Sequence, residues 1–144
     1  MAWAVQHGYH RLVGARSIVI TACLCVAAGP VNAVESARNI ERSGAGDTEL
    51  RVFTYTPHRA DCSSVNDVRI IVRTSPAHGS VTTRPDTVIA GASRFGAADC
   101  SGRPIDGLGV YYVPQPGFHG IDRFDYDASF SNGTEHATVM VIIR

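Results

Sequence analysis

From residue 48 onward the chain alternates hydrophobic and polar positions in short runs. "RFDYDASF" sets Phe124, Tyr126, Ala128 and Phe130 on one side and Arg123, Asp125, Asp127 and Ser129 on the other. That period of two belongs to a strand with one dry face. "HATVMVIIR" repeats it with Ala137, Val139, Val141 and Ile143. Between the two, Asn132-Gly133 predicts a tight hairpin turn whose central residues take positive φ. Upstream, "LRVFTYT" reads as a strand halted by Pro57. "DVRIIVRT" reads as another, with Val68, Ile70 and Val72 facing one way and Arg69 and Arg73 the other. "PAHG" is a turn leading into "SVTTR", "DTVIAG" is a further short strand, and "LGVYYV" precedes the final pair. No segment after residue 47 spaces its apolar residues for a helix over three turns. Six or seven short strands at intervals of about 8 to 12 residues predict an all-β, antiparallel sandwich.

The beginning of the chain breaks this pattern. Arg11 and Arg16 stand before the uncharged apolar run "SIVITACLCVAAG", and "PVNA" follows. A positive region, an apolar core and small residues are the order of a secretory signal peptide, with cleavage expected after Ala33. The apolar run is short of the roughly 20 residues that span a bilayer, so membrane contact is expected only in transit, through residues 1–33. Residues 34–47 are polar and contain glycine, and they read as a flexible lead-in to a domain at 48–144. Ala92–Gly107 is rich in Gly, Ala and Asp and reads as a long loop.

Removing residues 1–33 alters charge and cysteine count. Thirteen arginines and thirteen acids, less Arg11 and Arg16, leave 11 − 13 = −2. A balance on the acidic side disfavours a nucleic-acid partner or an anionic membrane, which select basic patches. Of four cysteines, Cys62 and Cys100 remain. In an exported domain such a pair reads as one disulfide, with two free thiols as the alternative. Without a CxxC spacing, redox catalysis has no motif.

The densest cluster of chemistry is "VYYVPQPGFHGIDRFDY", Val110–Tyr126. Its outer thirds are strands, so "PQPGFHGI" must join them. Pro114 and Pro116 fix φ, Gly117 and Gly120 permit a reversal, and Phe118 has the size to plug the end of a sandwich. Asp122 suits a carboxylate accepting backbone N–H groups, and His119 is expected to face solvent. Arg103, Gln115, Phe118 and His119 are therefore the candidate contact residues, on the 92–107 loop and the Pro114–Ile121 turn. Asp125 and Asp127 would lie about 6.8 Å apart on one strand face, a separation at which carboxylates hold a cation or serve glycoside hydrolysis. A solvated strand face needs polar residues in any case, and it is the favoured reading of the pair. His58, His78, His119 and His136 lack the short spacing of zinc ligands. No G-x-S-x-G turn marks a serine nucleophile. Asn132 begins an N-x-T glycosylation pattern that the hairpin already explains, and "GAADCSG" lacks the strand-to-helix setting of a phosphate loop.

"SPAHGSVTT" and "VYYVPQPGFHGIDRFDYDASFSNGTEHATVMVII" together resemble the bacterial Ig-like and cadherin-like domains that repeat in large surface proteins. Those repeats carry a P-x-H-G-x-V turn and, further on, an aromatic P-x-x-G-F-x-G-x-D-x-F-x-Y run. The resemblance covers Ser75–Thr83 and Val110–Ile143. It implies an Ig-like sandwich used as a spacer or binding module, without catalytic residues. Two departures stand out. Where such repeats often place a D-x-D-G-D-type calcium loop, this chain has "HRADCSSVND"; and it has one copy instead of many. The expectation is an exported module, periplasmic or secreted, that takes no cofactor and binds a protein or envelope component through its loops. The competing expectations are a small hydrolytic or carbohydrate-active domain using Asp125, Asp127 or His119, and a cation-stabilised spacer.

Overall fold

Strands whose side chains alternate must find a second dry face to cover the first, and this chain supplies it from its own other half. The computed structural model describes residues 34–91 and 99–144. The expected leader at 1–33 and the 92–98 part of the expected loop lie outside the described residues. Seven strands follow in order: β1 (Val34–Gly44), β2 (Leu50–Tyr55), β3 (Arg69–Thr74), β4 (Gly79–Ile89), β5 (Pro104–Pro114), β6 (Gly120–Phe130) and β7 (Gly133–Ile143). One sheet has the order β1-β7-β6-β3 and the other β2-β5-β4. Grouping the second, fourth and fifth strands against the third, sixth and seventh is the partition of an immunoglobulin-like sandwich. Here the first strand joins β7.

The core is built from the inward positions of both sheets. Val52, Val110 and Tyr112 from one sheet and Phe124, Tyr126, Val139 and Val141 from the other are at most 1% exposed. Each such side chain contributes about 1.5–3 kcal/mol by leaving water. The Tyr112 and Phe124 rings stack with centroids 6.1 Å apart. Ala128 and Ala137 are equally buried, and Ala137 lies directly opposite Tyr126. A small residue there makes room for a large one.

Four expectations change in the structure. Residues 34–44 are not a flexible lead-in but strand β1, running parallel to β7 from Val34↔Gly133 to Gly44↔Ile143; the sheet is therefore not wholly antiparallel. Its one buried side chain is Ile40, too sparse a signal for periodicity to find, because most of the strand's hold on β7 is backbone. "SVTTR" and "DTVIAG" form one strand, β4, which runs through Pro85. An edge strand tolerates this, since its outward N–H needs no partner. The 92–107 segment is not loop to its end, for β5 begins at Pro104. The last hairpin turns at Ser131-Asn132, one residue early, with Phe130 paired to Gly133 and no positive φ at either residue. Asp67 steadies this turn by accepting bonds from the Ser131 N–H (3.2 Å) and hydroxyl (2.6 Å). A smaller departure is Val72, expected inward, which is 39% exposed. β3 is an edge strand whose register slips between Val72 and Thr74.

Candidate interaction site

The two patterned segments meet around one carboxylate. Asp122 opens the dry face of β6 and is 4% exposed. It accepts the backbone N–H groups of Ala77 (3.0 Å) and His78 (2.7 Å), both in the β3–β4 turn. The Tyr112 hydroxyl on β5 also donates to it at 3.0 Å, and the Arg123 N–H at 2.9 Å. Burial alone would raise its pKa; the backbone donors and the Tyr112 hydroxyl outweigh that and hold it below the ordinary carboxylate value. The same bond, with burial as the larger cause, pushes the Tyr112 hydroxyl up. Gly79 lies against the Tyr112 ring, where a Cβ would come within 2.4 Å. Asp122 thus serves a turn distant in sequence, not only its own.

Around this joint three connections converge. Gln115 donates its N–H to the His78 carbonyl at 2.8 Å, and the Phe118 ring stacks on the His78 ring at 4.5 Å. Gly117, with φ +74°, donates its N–H to the Asp47 carboxylate of the β1–β2 turn at 2.7 Å. His119 is exposed and lies beside Gly46, whose N–H bonds the Arg144 carbonyl. The structure therefore brings Gln115, Phe118 and His119 together, with Phe118 half-buried against the core as a plug. It adds His78 and Asp47, which the sequence reading left out of the contact set. The "PAHG" turn was visible as a turn, but nothing in its spacing says which loop it would touch.

Arg103 belongs elsewhere. It precedes β5 while Gln115 follows it, so about 40 Å of extended strand separates them. Its backbone closes the β4–β5 connection, accepting from Ala90 N–H (2.9 Å) and donating to the Cys100 carbonyl (3.0 Å). Cys100 is buried and bonded to Cys62, with Cα atoms 5.7 Å apart. Cys62 adopts φ +68°, a left-handed conformation uncommon for a residue with a Cβ. The staple ties the β2–β3 connection to the β4–β5 connection.

The remaining charged residues hold the sheets. Asp127 is bonded to His136 Nδ1 (2.8 Å) and Arg73 (2.6 Å), which together depress its pKa. Asp125 faces Thr138 and Thr74 in the ladders. His119, six positions before Asp125, is about 20 Å away along the strand, so Asp125, Asp127 and His119 do not form one cluster. Within the larger sheet, Arg38 of β1 grips Glu135 of β7 through two bonds of 2.7 and 2.8 Å. Tyr55 donates to Glu135 at 2.8 Å and lies 3.1 Å from the Tyr126 hydroxyl. Tyr55 has one proton; given to the carboxylate, it leaves Tyr126 as the donor of the second bond. Burial first, then these neighbours, raises the Tyr55 pKa strongly. On the outer face of the other sheet, Asp86 accepts from Thr54 (2.8 Å) and Tyr111 (2.9 Å), and Arg84 covers the Tyr111 ring at 3.5 Å. Among the described residues no three His, Cys, Asp or Glu side chains converge to hold a metal. No protein-family model matches the chain, and no curated protein matches it at a significant level.

Proposed function

We propose that the chain is an exported, non-catalytic Ig-like module, related to the cadherin-like repeats of bacterial surface proteins. In this reading residues 1–33 are a cleaved signal peptide, and the mature domain binds a protein or envelope component in the periplasm or outside the cell. The observation that supports it is the end of the sandwich around Asp122. There the turns at Asp47, His78 and Gln115–His119 are held against one another, leaving imidazole, amide and half-buried aromatic groups at a single rigid surface. Loops positioned by a sandwich are its natural contact surface, and a fixed arrangement avoids the ordering cost a mobile loop carries.

The test is affinity capture from a cell-envelope extract with the mature domain, beside a His78→Ala/His119→Ala form. A partner retained by the first and lost by the second is expected. Equal recovery by both removes this end as the contact surface, and reproducible recovery of nothing removes the reading. Turnover of a hydrolase substrate panel, or a calcium-dependent rise in the unfolding midpoint, would favour the enzymatic or spacer readings instead.

A further inference from the structure

The inner face of the β4–β5 ladder does not end where the core ends. Along it the cross-strand pairs are Thr83↔Val110, Pro85↔Leu108 and Thr87↔Asp106. Val110 is fully buried, Leu108 half-buried, and Asp106 and Thr87 exposed. The reason is a mismatch in length. β4 and β5 each run for 11 residues, whereas β3, at the facing edge of the other sheet, has 6. Past Leu108 the described residues that share a cleft with this ladder are Val65, Asn66 and Val68 of the connection into β3. What lies between is a cleft of about 530 Å³, with Val65, Val68, Pro85 and Leu108 as apolar walls and Asn66, Thr87 and Asp106 at its polar end. That volume falls within the range of small-ligand pockets.

The polar end is organised around an exposed carboxylate on the same face of β5 as Leu108, with Ile105 buried on the opposite face. Thr87 donates its hydroxyl to Asp106 at 2.6 Å, and the Asp106 N–H donates to the Ser64 hydroxyl at 3.0 Å. Ser64 belongs to the connection that carries Cys62, so the disulfide and this bond fix the same wall. Asp86 also lines the cleft, but its carboxylate is taken by Thr54, Tyr111 and Arg51. No arginine is among the described residues that line the cleft, and Asp106 takes part in no ion pair among the described residues.

We infer that this cleft receives a basic side chain of a partner protein, an ammonium or guanidinium on an aliphatic stem, with Asp106 as its counter-ion. An aliphatic stem matches the Val65, Val68, Pro85 and Leu108 walls, and such side chains bury their stems while keeping the charged head at a polar boundary. The charge complements both Asp106 and the −2 balance that follows from the sequence of residues 34–144. A charge beside an open edge also discourages edge-to-edge pairing, but that role alone would not require an apolar-sided cleft leading up to it. The inference deepens the binding-module reading and rests on it for the partner, while the cleft itself is tested without one.

The experiment is a titration of the ¹⁵N-labelled mature domain with N-acetyl-lysine methylamide, its arginine counterpart and the neutral isostere N-acetyl-norleucine methylamide. The cationic probes are expected to shift the amides of Val65, Asn66, Val68, Thr87, Asp106 and Leu108, and to bind at least about tenfold more tightly than norleucine. In Asp106→Asn, checked by its dispersed spectrum, the lysine probe should fall to the norleucine level. In Thr87→Lys, where an ammonium is built in opposite Asp106, the probe should be excluded. Equal binding of lysine and norleucine, shifts outside the cleft, no shifts, or indifference to Asp106→Asn each overturns the inference. Envelope capture that succeeds through the His78/His119 end while this titration is silent would sink the cleft and leave the binding module standing.

Discussion

The two ends of the sandwich are closed by different kinds of bond. At one, the short connections 45–49, 75–78 and 115–119 are gathered by the carboxylate of Asp122 and the rings of His78 and Phe118. At the other, the longer connections 56–68 and 90–103 are joined by Cys62–Cys100. A carboxylate reaches only donors within about 3 Å, so it can lock turns that strand pairing has already brought close. Longer connections carry more loop-closure entropy, and a covalent link removes much of it from the unfolded chain. The first lock therefore acts in the folded state and answers to protons; the second acts on the unfolded state and answers to reductant.

The largest expected effect belongs to the covalent end. Cys62→Ala/Cys100→Ala should lower stability by about 4 kcal/mol, the chain-entropy value for a loop of this length, read as a shift of the urea midpoint. Amide shifts should concentrate in residues 56–68, beside Cys100 and along the cleft wall, leaving Ala77, His78 and Gln115 in place. Movement at both ends would mean that the locks are coupled and the comparison false.

Asp122→Ala should cost about 3 kcal/mol, since it takes the acceptor from three part-buried backbone N–H groups, those of Ala77, His78 and Arg123, and leaves the Tyr112 hydroxyl only the His78 carbonyl; Asp122→Asn should cost less. The pH dependence follows from the lowered Asp122 pKa. Its contribution is complete above the ordinary carboxylate value of about 3.9 and is lost as pH falls through the lower, folded-state value. Acid unfolding of Asp122→Asn should accordingly be flatter than that of the parent, while the double-cysteine form keeps the parent's slope.

The tyrosines sharpen the contrast from the alkaline side. Tyr55, Tyr111, Tyr112 and Tyr126 all have raised pKa values, each with burial as the largest cause. Their contribution is complete below about pH 10 and is lost as pH rises beyond it. Absorbance at 295 nm should therefore remain flat until the mature domain unfolds; a gradual rise near pH 10 in the folded protein contradicts the buried arrangement. The smallest effect is expected outside both locks. Arg73→Ala removes an exposed ion pair to Asp127 and should change stability by about 0.5 kcal/mol, with both ends unmoved in the amide spectrum.

Particular residues show what was legible. Phe124, Tyr126, Ala128, Val139 and Val141 announce their face by alternation alone, and all are buried. The joint at Pro114–Gly120 was readable because proline and glycine restrict the backbone locally, and Gly117 and Gly120 take the positive φ that the reversal needs. Alternation could not choose the hairpin register. Turning at Asn132-Gly133 would preserve every inward residue, but it would set Ala128 against Ala137 and leave space beside it. The observed register puts Ala137 opposite Tyr126 instead. Arg103 was grouped with Gln115, Phe118 and His119 because all four sit in connections, and only the run of β5 shows that they belong to opposite ends. β1 escaped notice because backbone bonds to β7 and the Arg38–Glu135 pair hold it, and neither leaves a period in the sequence.

By itself, then, the order of side chains determined that this protein folds as extended segments with one dry face, and that the Pro114–Gly120 stretch reverses the chain between two of them. These are consequences of local geometry and of burial, which act on each residue according to its kind. The tertiary structure alone decided that Asp122 would serve the His78 turn, that β1 would complete the larger sheet, and that β4 and β5 would outrun β3 to leave a cleft at Asp106. Each depends on a distance between groups far apart in the chain, and such distances exist only once the two sheets have packed.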